Sequence, residues 1–394
     1  MSTACSPRLC DLPVPEASFQ RMFKKMPKRM PQSMSTSAAR IVRVSARPVN
    51  APLSRPLRTA SGVMESAPLV LVDLETDTGL TGHAYAFAYT PVLLGALTQA
   101  TRDVGHLLEG QELLPHALTQ ALRARFRLAG TPGLLDMALG ALDIAAWDAH
   151  AKSAGLPLVR LLGGQAIDLP AYASFGMDGA DDLSRACAMA VQQGFGAVKI
   201  KIGYPTVAED LAVVRAVKRA IGTDVALLID YNQSLSVPDA VHRCGLLDGE
   251  GLGWIEEPTR YDDTVGHARI AAETKTALQL GENLWGPSAI AESLAAGASD
   301  LMMPDLIKVG GVSGWLAASA VCQAARIPVS NHFFQEASVH LMAVTPTAHF
   351  VEYFDLAGPV LRTPLRLRDG KVRASDEPGL GLAWNEEAIA RYAV

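Results

Sequence analysis

The 394-residue sequence has no GxGxxG after a strand-like segment, no GxxxxGK[ST] and no GxSxG; Gly311-Val312-Ser313-Gly314 misses that last pattern by one position. Phosphate cradles and acyl-serine chemistry therefore lack their motifs. Cysteine is scarce: the five residues Cys5, Cys10, Cys187, Cys244 and Cys322 are scattered, with no Cys-x-x-Cys pair. That excludes a disulfide framework and predicts a reducing, cytoplasmic setting. Charged residues are only 19% of the chain and the net charge is −5. Nucleic acid is thereby excluded as a partner, because affinity for it rests on Lys and Arg neutralising phosphates. No long uninterrupted apolar run occurs either. The richest stretch, residues 134–151, is broken by Asp136, Asp143 and Asp148 at helical spacing and reads as a buried helix, so no membrane partner is expected.

What is abundant is apolar. Hydrophobic residues make up 49% of the chain, enough for a large core, and the length predicts two domains. Residues 1–40 stand apart as a basic tail, with Arg21, Lys24, Lys25, Lys28 and Arg29 among methionines and prolines. We read this tail as disordered, and no apolar stretch follows the charges as a secretion signal requires. Residues 41–168 give strand-like runs at 41–44, 69–74 and 82–88 and then helical patterns at 91–108 and 134–153, the order of an α+β domain. Residues 169–360 alternate short β-branched runs with helical patterns, the strands starting near 171, 197, 226, 254, 278, 301, 328 and 350. Eight strands at such intervals predict an α/β fold of the TIM-type (β/α) barrel class. Residues 361–394 read as a hairpin around Asp369-Gly370 and a helix at 386–392, packing back on the first domain.

Barrel active sites form at the carboxyl ends of strands. The polar residues there are Ser174, Lys199 with Lys201, Asp230 with Asn232, Glu256 with Glu257, and Glu282 with Asn283, followed by Asp305, His332 and Glu352. From Lys201 to Asp230 is 29 residues, and the next five steps are 26, 26, 23, 27 and 20, one residue set per βα unit. Asp230, Glu256 and Glu282 end three successive strands, which places hard oxygen ligands side by side. All-oxygen ligation favours Mg²⁺, with Mn²⁺ as a substitute, over zinc.

In Ala197-Val198-Lys199-Ile200-Lys201-Ile202 the aliphatics must pack on the outer helices, which turns both lysines inward. Two neighbouring ammonium groups beside a cation disfavour their own charge, so Lys201 is expected to have a lowered pKa and to act as a base. His332 is a second base, its ring held by Asp305 from the preceding strand. Glu352, buried beside a substrate oxygen, is expected to stay protonated and donate a hydrogen bond. A dication, two bases and a neutral carboxyl donor together suit removal of a proton α to a carboxylate, a step that needs the enolate charge stabilised.

The runs Val198-Lys199-Ile200-Lys201-Ile202-Gly203-Tyr204-Pro205, Asp230-Tyr231-Asn232-Gln233-Ser234-Leu235, Trp254-Ile255-Glu256-Glu257-Pro258-Thr259 and His332-Phe333-Phe334-Gln335-Glu336 resemble the mandelate racemase subgroup of the enolase superfamily. Gly281-Glu282-Asn283 and Gly310-Gly311-Val312 do so too, as does Phe87-Ala88-Tyr89-Thr90-Pro91 in the first domain. The resemblance implies an α+β capping domain over a modified (β/α)₇β barrel and a homo-oligomer, an octamer. It implies Mg²⁺ on Asp230, Glu256 and Glu282, Lys201 and His332 as opposed acid/base groups, and Asp305 supporting His332. Lys199, Glu352 and Ser174 would hold the substrate carboxylate and Asn232 its hydroxyl. The implied reaction is racemisation of a 2-hydroxy acid, with dehydration of an acid sugar, an aldarate or aldonate, as the alternative. The region that departs is the capping loop, where Leu57, Arg58, Ser61, Met64 and Glu65 are less uniformly apolar than a cover for a phenyl ring, with Phe87 and Tyr89 nearby.

Overall fold

The computed structural model describes residues 38–60 and 62–394. The readings on the basic tail, with Cys5 and Cys10, lie outside the described residues.

The first domain is built on a three-stranded antiparallel sheet, β1 Ile41–Thr59, β2 Gly62–Thr76 and β3 Thr81–Phe87. The run Leu69 to Leu74 is almost wholly buried because helices cover it. Each such aliphatic side chain contributes about 1.5–3 kcal/mol by leaving water. Helices Pro91–His106 and Leu134–Ser153 pack on this sheet, the first started by Thr90, whose hydroxyl accepts from Val92 N. The three aspartates that broke the apolar run are all buried and all partnered: Asp136 with Arg123, Asp143 with Thr119 and Ser313, Asp148 with Lys152 and the Leu380 amide. Such burial is tolerable only because each charge meets donors. Helix Pro115–Arg125, with the weak apolar pattern of Leu118 and Leu122, was not expected.

The expected capping loop is instead a β-hairpin. Strands β1 and β2 stay paired to its tip, with Leu57 opposite Met64 and Arg58 opposite Val63, after a register break between Pro52 and Leu57. The irregularity hid the strand period from the sequence.

The second domain is a parallel sheet of β4 Leu169–Phe175, β5 Ala197–Lys201, β6 Ala226–Asp230, β7 Ile255–Glu256, β8 Leu278–Leu280 and β9 Leu301–Met302, with β10 Val351–Tyr353 returning beside β4. The expected seventh strand is reduced to bridges: Val329 pairs with Met302 on one side and Ala348 on the other, and His332 with Asp305. These close the curled sheet. Seven helices, from Gly179–Gln192 to Gln335–Met342, follow the strands and cover its outer face. The result is the capping domain plus modified (β/α)₇β architecture. The chain end serves both layers. Strand β11 Lys371–Val372 pairs with β4 of the barrel, not with the first domain, whereas Trp384 donates to Asp73 and Glu386 pairs with Arg47 of the cap.

Candidate active site

Register sets the site. Lys199 and Lys201 both face inward from β5 and are buried, as Val198 and Ile200 pack outward. Lys201 lies opposite Asp230, and Asp230 opposite Glu256, across adjacent strands. Glu282 follows β8 through Gly281, whose φ of +137° and whose approach (an added Cβ would lie 2.8 Å from the Met303 carbonyl carbon) admit no side chain. The three carboxylates are buried, with one oxygen of each within 4.8 Å of the others.

Non-glycine residues in left-handed backbone concentrate here. Among the described residues, six of the eight with positive φ (Tyr89, Asn232, Gln233, Glu257, Phe333 and Phe334) border these strand ends. Each costs on the order of 1–3 kcal/mol, which the surrounding packing offsets to hold side chains in place.

Two ammonium groups balance the acids. Lys201 Nζ is 2.5 Å from Asp230 Oδ2, and Lys199 Nζ is 2.7 Å from Glu256 Oε1 and 3.0 Å from Glu352 Oε1. Trp254 donates its indole N–H to Glu256 Oε2 at 3.1 Å. These contacts bear on two expectations. Burial is the largest influence on Lys201 and works against its charge, but Asp230, joined by Glu282 and Glu256, outweighs burial and the neighbouring Lys199, so these carboxylates raise the lysine's pKa. Burial likewise is the largest influence on Glu352 and works against its ionised form, but Lys199, His332 and Lys201 together overcome it and hold the carboxyl below its ordinary range. Glu352 is therefore an ionised acceptor, taking a hydrogen bond from Phe333 N at 3.1 Å, and not a neutral donor. Glu256 is driven well up by burial, reinforced by Asp230 and Glu282 and opposed by Lys199. Glu282 is also buried, yet His332 and the lysines hold it down at about 2.

At the other end of the carboxylate row His332 Nδ1 is 2.8 Å from Asp305 Oδ2. A carboxylate only accepts, so Nδ1 carries the hydrogen and Nε2 faces the cavity side, 3.3 Å from Glu282 Oε2. Asp305 Oδ1 accepts from the backbone N–H groups of Ile307 and Lys308, and its Oδ2 also from the Tyr89 hydroxyl at 3.0 Å.

Lys308 was missed by sequence reasoning. It is 5% exposed; its Nζ donates to Asn283 Oδ1 at 2.7 Å and sits 4.2 Å from the Tyr89 ring centroid. Asn283 in turn donates to Glu257 Oε2 at 2.7 Å and Glu282 Oε1 at 3.1 Å. The available signal was one cation in the otherwise apolar run 306–312.

A cavity of about 580 Å³ opens over this floor, walled by Lys201, His332, Glu282 and Asn232 below and by Leu57, Tyr89 and the hairpin tip above. Lys199, Glu352, Asp305, Asp230 and Glu256 are buried and do not line it. Ser174 does not line it; it lines a neighbouring cavity of about 340 Å³ between the hairpin and the helix after β4.

The residues fit a hard divalent cation. Three buried carboxylates converge, and two buried acceptors beside them, Glu282 Oε2 and Asn232 Oδ1, have no hydrogen-bond partner. Buried acceptors without a hydrogen bond are costly unless a ligand meets them, and an all-oxygen set selects Mg²⁺ or Mn²⁺.

Curled-sheet barrel, cap and carboxylate row together define a two-domain enzyme whose site lies between strand ends and cap. Residues 41–163 match the mandelate racemase/muconate lactonizing enzyme N-terminal domain, and residues 182–388 the enolase C-terminal domain-like model. The chain belongs to the mandelate racemase/muconate lactonizing enzyme family of the enolase superfamily. It is 30% identical over 324 residues to an L-talarate/galactarate dehydratase of Salmonella typhimurium, covering 81% of each chain. An enolase from Bradyrhizobium, solved with magnesium and mandelic acid, matches with TM-score 0.89 at 48% identity over 91% of this chain and 99% of its own. An L-talarate dehydratase from Polaromonas sp. JS666, solved with Mg and L-glucarate, matches with TM-score 0.84 at 29% identity over 91% and 98%. Among the described residues no helix is long and apolar enough to cross a membrane.

Proposed function

We propose that the protein removes the proton α to the carboxylate of a 2-hydroxy acid and returns it on the opposite face, a racemisation, with Mg²⁺ held by Asp230, Glu256 and Glu282. The observation that carries this reading is the placement of Lys201 at the Asp230 end of the carboxylate row and His332 at the Glu282 end, both reaching one cavity. The bound cation supplies positive charge for the substrate carboxylate as it gains enolate character.

The remaining work falls to side chains. Lys201 moves a proton at Nζ and His332 at Nε2, one on each face of the α-carbon. A cation held by Asp230 would compete with Lys201 for that carboxylate and would favour the lysine's neutral form as a base. Asp305 fixes the His332 tautomer. Lys199 neutralises Glu256 and Glu352 beneath the floor. Asn232 offers its unpartnered Oδ1 to the substrate hydroxyl, and Leu57 and Tyr89 exclude water from above.

The dehydratase relative at 30% identity supports a second reading. There Lys201 takes the α-proton, His332 protonates a departing β-hydroxyl, and the resulting enol gives a 2-keto acid and water. Incubation of 2-hydroxy acids with enzyme and Mg²⁺ in deuterated water separates the two. Deuterium at the α-carbon with inverted configuration supports racemisation, a 2-keto product supports dehydration, and neither contradicts both.

A further inference from the structure

We infer that the substrate carries a single carboxylate and a hydrogen-bond donor at its far end, and that Glu65 selects for both. This rests on the α-proton reading above, which fixes the reacting carboxylate at the strand ends.

The far end of the cavity is the hairpin tip, contributed by Leu57 and residues 62–66. The charged residue it contributes is Glu65, exposed at the mouth. Among the described residues lining the cavity, the basic ones are Lys201 and His332, both at the strand ends and both already paired with carboxylates. The hairpin does carry cations, but they face elsewhere. Arg58 Nε lies 3.5 Å from Asp178, Arg55 pairs with the same aspartate at 2.9 Å, and Met177 N donates to Arg58 O at 2.8 Å, which pins that strand to the barrel loop.

A cavity of about 580 Å³ holds a six-carbon acid or a substituted phenyl acid at full length. A second carboxylate at that length meets Glu65 with no cation to pair it, and like charges brought together oppose binding. A hydroxyl or ammonium in its place donates to the Glu65 carboxylate. Aldonates are thus favoured over aldarates, and hydroxylated aromatic acids over their carboxylated counterparts. That separates this chain from the relative solved with glucarate, a diacid.

The test uses two length-matched pairs: gluconate and galactonate against glucarate and galactarate, and 4-hydroxymandelate against 4-carboxymandelate. Full-length enzyme with Mg²⁺ in deuterated water is followed by NMR for α-proton exchange. The expected result is a kcat/KM at least tenfold higher for the monoacid in each pair. Glu65→Lys shrinks that ratio about tenfold and Glu65→Gln shrinks it less, with circular dichroism verifying that both variants fold. Diacids exchanging as well as monoacids, or a ratio untouched by both variants, overturn the inference while leaving the α-proton reading in place. Exchange from no member of either pair overturns that reading and the inference with it.

Discussion

Tyr89 of the capping domain and His332 of the barrel hydrogen-bond the same atom, Asp305 Oδ2, at 3.0 and 2.8 Å. The cap therefore does more than cover the cavity: it helps to set the acceptor that orients one base. Tyr89→Phe removes a donor to a carboxylate, an interaction of roughly 1.5–3 kcal/mol. We expect kcat to fall about tenfold with KM little changed, and the loss to fall mainly on the enantiomer whose proton His332 handles. Steady-state kinetics on separated enantiomers checks this; equal losses on both would place the effect in general packing.

Lys308 gives a prediction whose sign is diagnostic. A buried ammonium beside a cation site repels the cation, so its removal should tighten binding if charge alone matters. Lys308 also fixes Asn283, whose amide occupies Glu282 Oε1 while Oε2 accepts no hydrogen bond. Loss of that support costs roughly 10–100-fold in metal affinity where outer partners orient ligands. We expect Lys308→Met to weaken Mg²⁺ and Mn²⁺ binding by about that factor, measured by calorimetry on chelator-treated protein, and to add nothing further in an Asn283→Ala background. Tighter binding would assign Lys308 a purely electrostatic role.

His340 lies far from this chemistry and supplies a pH dependence. Its ring is fully buried on helix Gln335–Met342, Nδ1 accepts from Val159 N, and burial lowers its pKa from 6.5 to about 4. A depressed histidine favours the neutral fold, so its contribution is complete above pH 6.5 and is lost as pH falls towards 4. The loss amounts to about 3 kcal/mol from the linkage between pKa and folding. Denaturant unfolding of wild type and His340→Gln across that window checks it: the wild type should lose stability relative to the variant as pH falls, and parallel curves would refute it.

Much of the site was legible because a barrel converts sequence spacing into adjacency. Near-constant steps between Lys201, Asp230, Glu256 and Glu282 became neighbouring strand ends, and alternation in Ala197–Lys201 told which way the lysines face. What remained hidden were relations across the ring and between domains. The charge state of Glu352 depends on β10 lying beside β4 and on the reach of Lys199, and no local pattern encodes either. The position of Ser174 depends on which cavity the hairpin closes. The seventh strand was visible as a β-branched run but not its reduction to bridges, and Lys308 looked like one lysine in an apolar stretch.

The central claim is that Lys201 and His332 serve opposite faces of one carbon. The most direct measurement is α-proton exchange in deuterated water from each enantiomer of an accepted 2-hydroxy acid, by Lys201→Ala and by His332→Asn. General acid–base groups contribute on the order of 10²–10⁴ in rate. The account predicts that each variant loses exchange by about that factor from one enantiomer, that the two variants lose opposite enantiomers, and that each retains exchange from the other. Loss of both enantiomers to the same extent in both variants would contradict it.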